Sequence, residues 1–161
     1  MTTRTGVTVP PLFSRIGTAS ALTAAAVGTS LLAPWTPSAE AASTGVKALH
    51  VAASKKGSPY KWGATGPHRF DCSGLTQYAF KRAGKKLPRT AAAQYNKVRR
   101  VPTTTRTRGD LVFFRSGRSA KSVYHVGIYA GHGRIWHAPK TGTVVRLERI
   151  WSKRVSYGRV H

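Results

Sequence analysis

The sequence predicts an α+β fold, with helices in the first half of the folded part and an antiparallel sheet in the second. Three observations carry this. Apolar positions over residues 46–97 recur at helical spacing and are bounded by capping residues. From Leu111 onward they give way to short β-branched and aromatic runs separated by glycine-containing turns. The two patterns do not alternate, which excludes a sheet built from βαβ units.

Residues 46–56 read as a helix with Val46, Leu49, Ala52 and Ala53 on one face, ended by Gly57-Ser58-Pro59. Residues 60–70 (YKWGATGPHRF) form a loop punctuated by glycine and proline. Asp71 suits an N-cap, because its carboxylate can accept from the free N–H groups of a first helical turn. The helix it opens runs to about Ala83 and closes at Gly84. Leu87-Pro88-Arg89-Thr90 then turns the chain into a short Ala-rich helix over 91–97. Residues 101–108 read as polar and irregular. Gly109-Asp110 leads into a strand over 111–114. Residues 123–130 and 134–138 make a hairpin around Gly131-His132-Gly133, and 143–147 and 155–160 are further strands.

Ahead of this domain, residues 1–41 read as a secretory signal peptide. Arg4 and Arg15 supply a positive start, residues 16–33 are small or apolar, and Pro34 and Pro37 interrupt the run. Ala39-Glu40-Ala41 gives an A-x-A site, with cleavage expected after Ala41. An uncleaved anchor is the alternative, against which stand the modest hydrophobicity of the run and its prolines. Residues 42–45 then serve as a short linker, and 46–161 form one domain.

The chain carries 27 Lys+Arg against 4 Asp+Glu, a formal charge of +23. Such a charge attracts polyanions over long range. The cations are scattered, as at Lys55-Lys56, Lys85-Lys86, Arg99-Arg100, Arg106, Arg108, Arg115 and Arg118. No nucleic-acid-binding signature accompanies them, so nucleic acid is not the expected partner. A solvated cationic surface is as good a reading as a dedicated binding face.

Cys72 is the only cysteine and can form no internal disulfide. It stands in the first turn of a helix, where the helix dipole favours a thiolate. Position alone leaves a reactive nucleophile and an inert buried thiol level. The hairpin supplies partners. With the turn centred near Gly131, His125 and His137 pair directly, their Cβ atoms roughly 5 Å apart on one face. One imidazole can then orient the other, giving a nucleophile, a base and an orienting group. A one-residue slip would put the two rings on opposite faces. The same three residues could ligate zinc, but no two of them have the short-range spacing of such sites. His50, His68, His132 and His161 read as ordinary histidines.

The strings SPYKWGATGPHRFDCSGLTQYAF, LPRTAAAQ, GDLVFF, HVGIYAG and WHAPKTG resemble, in order and spacing, the NlpC-type family of bacterial cell-wall cysteine peptidases. The resemblance covers residues 46–160. It implies a papain-like α+β fold in which a cysteine-bearing helix packs on a small antiparallel sheet. It also implies Cys72 as nucleophile, His125 as general base and His137 as the orienting residue. Tyr60 matches a tyrosine whose hydroxyl lies near the oxyanion, and Asp71 and Ser73 shape the substrate end of the cleft. No metal or cofactor is implied.

The implied substrate is the peptidoglycan stem peptide, cut between D-glutamate and the following diamino acid. A secreted or wall-associated monomer from a Gram-positive bacterium is expected, with anionic wall polymers as further partners of the basic surface. Ala64 and Ala91 depart from the commoner glycine and serine of the family, away from the three catalytic positions. Two other functions fit the residues: a non-catalytic cationic wall binder, and a cysteine amidase or acyltransferase with another substrate.

Overall fold

The computed structural model describes residues 39–161, with side chains from Ser43 onward. All but the last three residues of the expected leader therefore lie outside the described residues. Helix α1 spans Ala39–Ser54, α2 Cys72–Arg82 and α3 Ala91–Lys97. The strands are β1 Arg99–Val101, β2 Leu111–Arg115, β3 Val123–Gly131, β4 Arg134–His137, β5 Arg146–Arg149 and β6 Val155–Arg159. They form one antiparallel sheet in the order β1-β6-β2-β3-β4-β5. This is the α+β arrangement that the sequence pattern predicts. No helix among the described residues is long and apolar enough to cross a membrane.

Residues 42–45, expected as a linker, are helical, since α1 begins before them. Its buried stripe is also rotated from the expected face. Thr44, Ala48, Leu49 and Ala52 are buried, whereas Val46 is exposed. The reason is close packing of small residues. A Cβ on Gly109 would come within 2.2 Å of the Gly45 backbone, so α1 approaches the turn before β2 along its slimmest side.

The second helix follows the sequence closely. Asp71 caps α2 by accepting from the Gly74 N–H at 2.7 Å, and Leu75, Ala79 and Phe80 turn inward. Thr90 caps α3 in the same way, its hydroxyl accepting from Ala93 N–H. Both faces of the sheet are covered, which explains the unbroken apolar run of β2. Leu111 and Phe113 join Val126 and Ile128 of β3 against the helices. Val112 and Phe114 point the other way, into a smaller cluster with Val101, Tyr129, Ile135 and Tyr157.

Two strand expectations need correction. Residues 143–145 do not enter the sheet, which β5 joins only at Arg146. They pair instead with the segment after α1, through Gly57 N–H to Val145 O at 2.9 Å and Tyr60 N–H to Thr143 O at 2.8 Å. The edge strand β1 lies where the end of a helix-to-loop transition was expected. Its three residues, two of them arginines, have no strand signature and are held by pairing with β6.

Candidate active site

The β3–β4 hairpin places the two histidines. The observed register is Ile128↔Trp136 and Tyr129↔Ile135, with an irregularity before Gly131. The turn is thus centred on His132, one residue beyond the expected Gly131, with positive φ at Gly131, His132 and Gly133. Moving the centre by one residue moves the register by two. His125 and His137 are therefore diagonal neighbours instead of a direct pair, and an even shift keeps them on the same face. The rings meet at right angles, centroids 5.1 Å apart, with His125 Nε2 and His137 Nδ1 separated by 2.8 Å. Gly127 makes room for this. A Cβ there would stand 3.2 Å from His137 Cβ and 2.8 Å from Ile135 Cδ1.

Cys72 reaches the sheet from the helix layer. The backbone N–H groups of Val126, the residue after His125, and of Ser73 favour its thiolate form, as does the Ser73 hydroxyl. Gly74, in the same Asp-Cys-Ser-Gly string, fixes how near the preceding loop can come. A Cβ at that position would lie 2.1 Å from the Ala64 carbonyl oxygen. That loop carries Tyr60 and is tied down at both ends, by Tyr60 N–H to Thr143 O and by Asp71 N–H to Ala64 O at 3.0 Å. Cys72, His125, His137 and Tyr60 consequently line one open cleft of about 480 Å³, rimmed by Trp62, Tyr124, Lys140 and Trp151.

Asp71 and Ser73 are placed differently from the expectation. Both are buried and neither lines the cleft. Asp71 accepts from the N–H groups of Gly63 and Gly74 and forms an ion pair with Arg89, which also donates to Ser73 Oγ at 2.9 Å. They buttress the N-terminus of α2 from beneath, and Arg89 is a supporting residue that sequence reading did not single out.

Two further residues at the histidine pair also escaped it. Glu148 Oε2 lies 3.0 Å from His137 Nε2 and accepts from Arg146 Nε at 2.8 Å. Trp151 stacks on Phe114 at 4.0 Å between centroids and lies 5.3 Å from His137 and 5.5 Å from His125. It roofs the pair and thins its contact with water.

Protonation states follow from these surroundings. Burial holds His125 far below the usual imidazole range, at about 3, with the neighbouring His137 adding to the effect. Burial likewise lowers His137, against the opposing pull of Glu148. Arg146 holds the Glu148 carboxyl below the usual range, so it is ionised. Both rings are therefore neutral at pH 7. An ionised carboxylate only accepts, so His137 Nε2 carries the proton donated to it. His137 Nδ1 must then accept, and His125 Nε2–H donates to it. The remaining lone pair is on His125 Nδ1. His125 Nε2 and His137 Nδ1 are bonded to each other, so these two nitrogens cannot converge on one ion without first breaking that bond.

The thiol departs from the expectation drawn from helix position. Burial, then the Asp71 carboxylate, raise the Cys72 pKa above the ordinary cysteine value and outweigh the N–H donors. The resting pair is therefore thiol and imidazole. Alkylation of Cys72 by iodoacetamide is expected to be slow at pH 6 and to titrate above an ordinary cysteine. High reactivity persisting below pH 6 would instead reveal a thiolate–imidazolium pair. Tyr60 is also raised, by burial and then by Cys72 and Asp71, so its hydroxyl stays protonated and able to donate.

Residues 57–159 match the model of the NlpC/P60 family. A Corynebacterium glutamicum protein named "Probable endopeptidase Cgl2188" is 48% identical over 111 residues, 69% of this chain and 51% of that protein. The bifunctional muramidase/DL-endopeptidase CwlT of Bacillus subtilis is 44% identical over 88 residues, 54% of this chain and 27% of its own length. The chain thus spans about half or less of these relatives. Among solved structures, the peptidoglycan hydrolase RipB from Mycobacterium tuberculosis superposes with a TM-score of 0.64 at 29% identity, over 77% of this chain and 68% of that one. The P60 domain of M. avium subspecies paratuberculosis antigen MAP1204 gives 0.64 at 28%, over 74% and 96%.

Proposed function

Because the chain belongs to the NlpC/P60 family, with the papain-like fold of its solved structures, we propose that it is a cysteine endopeptidase that hydrolyses an amide bond in the peptidoglycan stem peptide. The observation that carries this reading is the convergence of one thiol and two hydrogen-bonded neutral imidazoles on an open cleft. Cys72 is the nucleophile, His125 the general base and His137 the residue that orients it.

The chemistry runs as acyl transfer. As the Cys72 sulfur attacks the scissile carbonyl, His125 Nδ1 takes the thiol proton, so charge separates only when substrate is in place. The carbonyl oxygen becomes an oxyanion beside the Tyr60 hydroxyl and the Cys72 backbone N–H, which act as fixed donors. The C–N bond then breaks, His125 returns the proton to the leaving amine, and a thioester remains on Cys72. Water, deprotonated by the same imidazole, releases the acid and restores the thiol.

The bond between D-glutamate and the diamino acid is the proposed site of cleavage, in line with the DL-endopeptidase named among the relatives. A secreted, wall-associated monomer, freed by cleavage after Ala41, accords with such a substrate. Residues 42–161 keep 25 of the basic and 3 of the acidic residues, a formal charge of +22 that supports retention by phosphate- and carboxylate-bearing wall polymers. One experiment addresses both points. Purified walls are incubated with the protein at low and high salt, and bound protein and released muropeptides are measured. Fragments split within the stem peptide are expected, with retention falling as salt rises. Intact muropeptides under reducing conditions would refute the endopeptidase, and salt-independent retention would refute the electrostatic anchor.

A further inference from the structure

We infer that Glu148, held by Arg146, is a positioning residue that fixes the tautomers of both imidazoles and so leaves His125 Nδ1 as the nitrogen free to take the thiol proton. The inference rests on the endopeptidase reading for its kinetic consequence, but its structural content can be tested independently of cleavage.

Geometry comes first. β5 pairs with β4 through His137↔Arg146 and Ile135↔Glu148. Glu148 is therefore the diagonal neighbour of His137, two residues along the same face, and reaches its Nε2 at 3.0 Å. Arg146 Nε donates to the same oxygen at 2.8 Å. That oxygen is thereby turned toward the ring instead of into solvent. The sequence Arg146–Glu148–His137–His125 forms one hydrogen-bonded line from the edge of the sheet to the cleft. With the acceptor-only Glu148 behind His137, each bond between the carboxylate and the two rings can have only one direction. Both imidazole protons then point toward Glu148, and the inner nitrogen is left bare.

The acid is also unusual in its context. This chain has 4 acidic residues against 27 basic ones. Asp71 and Asp110, the other two whose side chains are described, each grip an arginine that joins separate segments. Glu148 joins its arginine to a histidine ring instead. At 38% side-chain exposure, beside an arginine at 42%, the ion pair contributes little to folding. Its consequence falls on the ring it touches. An anion there also stabilises the imidazolium character that develops as the thiol proton moves, as in other carboxylate-oriented histidines.

The test compares Glu148→Gln and Glu148→Ala with the wild-type chain. The glutamine carbonyl can still accept from both His137 and Arg146, so the tautomers persist without the charge. Alanine removes the acceptor. Expected kcat values fall in the order wild type, Gln, Ala, with about a threefold to tenfold loss for Gln, about 10- to 100-fold for Ala, and KM little changed. Melting temperatures should move by about 5 °C or less, since an exposed ion pair is weak. On the same proteins, 15N chemical shifts of labelled histidine report the tautomers directly. His125 and His137 should both be Nε2-protonated in wild type and Gln, and His137 should become mixed in Ala.

Unchanged histidine shifts and unchanged kcat in Glu148→Ala would overturn the inference, as would equal losses in Gln and Ala. If no variant cleaves peptidoglycan, the endopeptidase reading fails while the nitrogen shifts still decide the role of Glu148.

Discussion

Replacing Cys72 with alanine is expected to abolish muropeptide release while leaving the domain folded. The sulfur is the atom that forms and breaks the acyl bond, and neither Tyr60 nor the two histidines can take its place. Tyr60 is held protonated, and both histidines are committed to each other. Losing a nucleophile that acts jointly with its base typically costs several orders of magnitude, so the rate should fall at least about 10⁴-fold. Alanine is well tolerated in the first turn of a helix. Loss of the half-buried sulfur costs about 1 kcal/mol, which shifts melting by a few degrees. Retained wall binding by this variant would separate adhesion from cleavage. Substantial residual cleavage would mean that another group attacks the carbonyl, and that the site has been misassigned.

Asp110→Ala is expected to destabilise the domain far more than loss of Cys72 or Glu148, and to act away from the chemistry. Asp110 and Arg159 are almost fully buried and form a two-pronged pair, Arg159 Nε to Oδ1 at 2.7 Å and a second guanidinium nitrogen to Oδ2 at 2.8 Å. The same carboxylate accepts from Thr107 N–H at 2.7 Å. The pair joins the start of β2 to the end of β6, where Leu111 pairs with Gly158. Removing the acid strands a buried guanidinium whose remaining acceptors are the Thr105 carbonyl and the Thr107 hydroxyl. Breaking such a pair from one side costs about 3–5 kcal/mol. For a domain of this size that lowers the melting temperature by roughly 10–25 °C. Phe114, which pairs with His125, is at the opposite end of β2, so kcat well below the transition should be nearly unchanged. A melting shift of under about 3 °C would show that water or a rearrangement satisfies Arg159, and that the pair is not a clasp.

Both expectations draw on residues the sequence reveals unequally. The thiol is legible because its helix is legible. Asp71 before Cys72, the apolar stripe through Leu75 and Ala79, and Gly84 at the end are local signals read at helical spacing. Asp110 appears in sequence only as a turn residue, because its partner lies 49 positions away. The α1 boundary is hidden for a similar reason. Thr44 and Gly45 look like a linker until Gly109 packs against them.

The histidines are the instructive case. Their shared face follows even from an incorrect turn centre, because strand faces depend only on whether the register shift is odd or even. An error of two residues is invisible to that test. It nonetheless changes the contact from a direct pair to a diagonal one, and Gly127 is what opens the space for it.

The sequence by itself determined the α+β class, the helix that presents Cys72, and the face shared by His125 and His137. Each depends on caps, periodicity and parity, which are properties of neighbouring residues. Tertiary structure alone decided that Glu148 and Arg146 complete the line behind His137, that Trp151 covers it, and that Cys72 rests as a thiol. These depend on which distant side chains meet and how much water they exclude. Desolvation and hydrogen-bond direction arise from the packed surroundings, and no local stretch of chain encodes them.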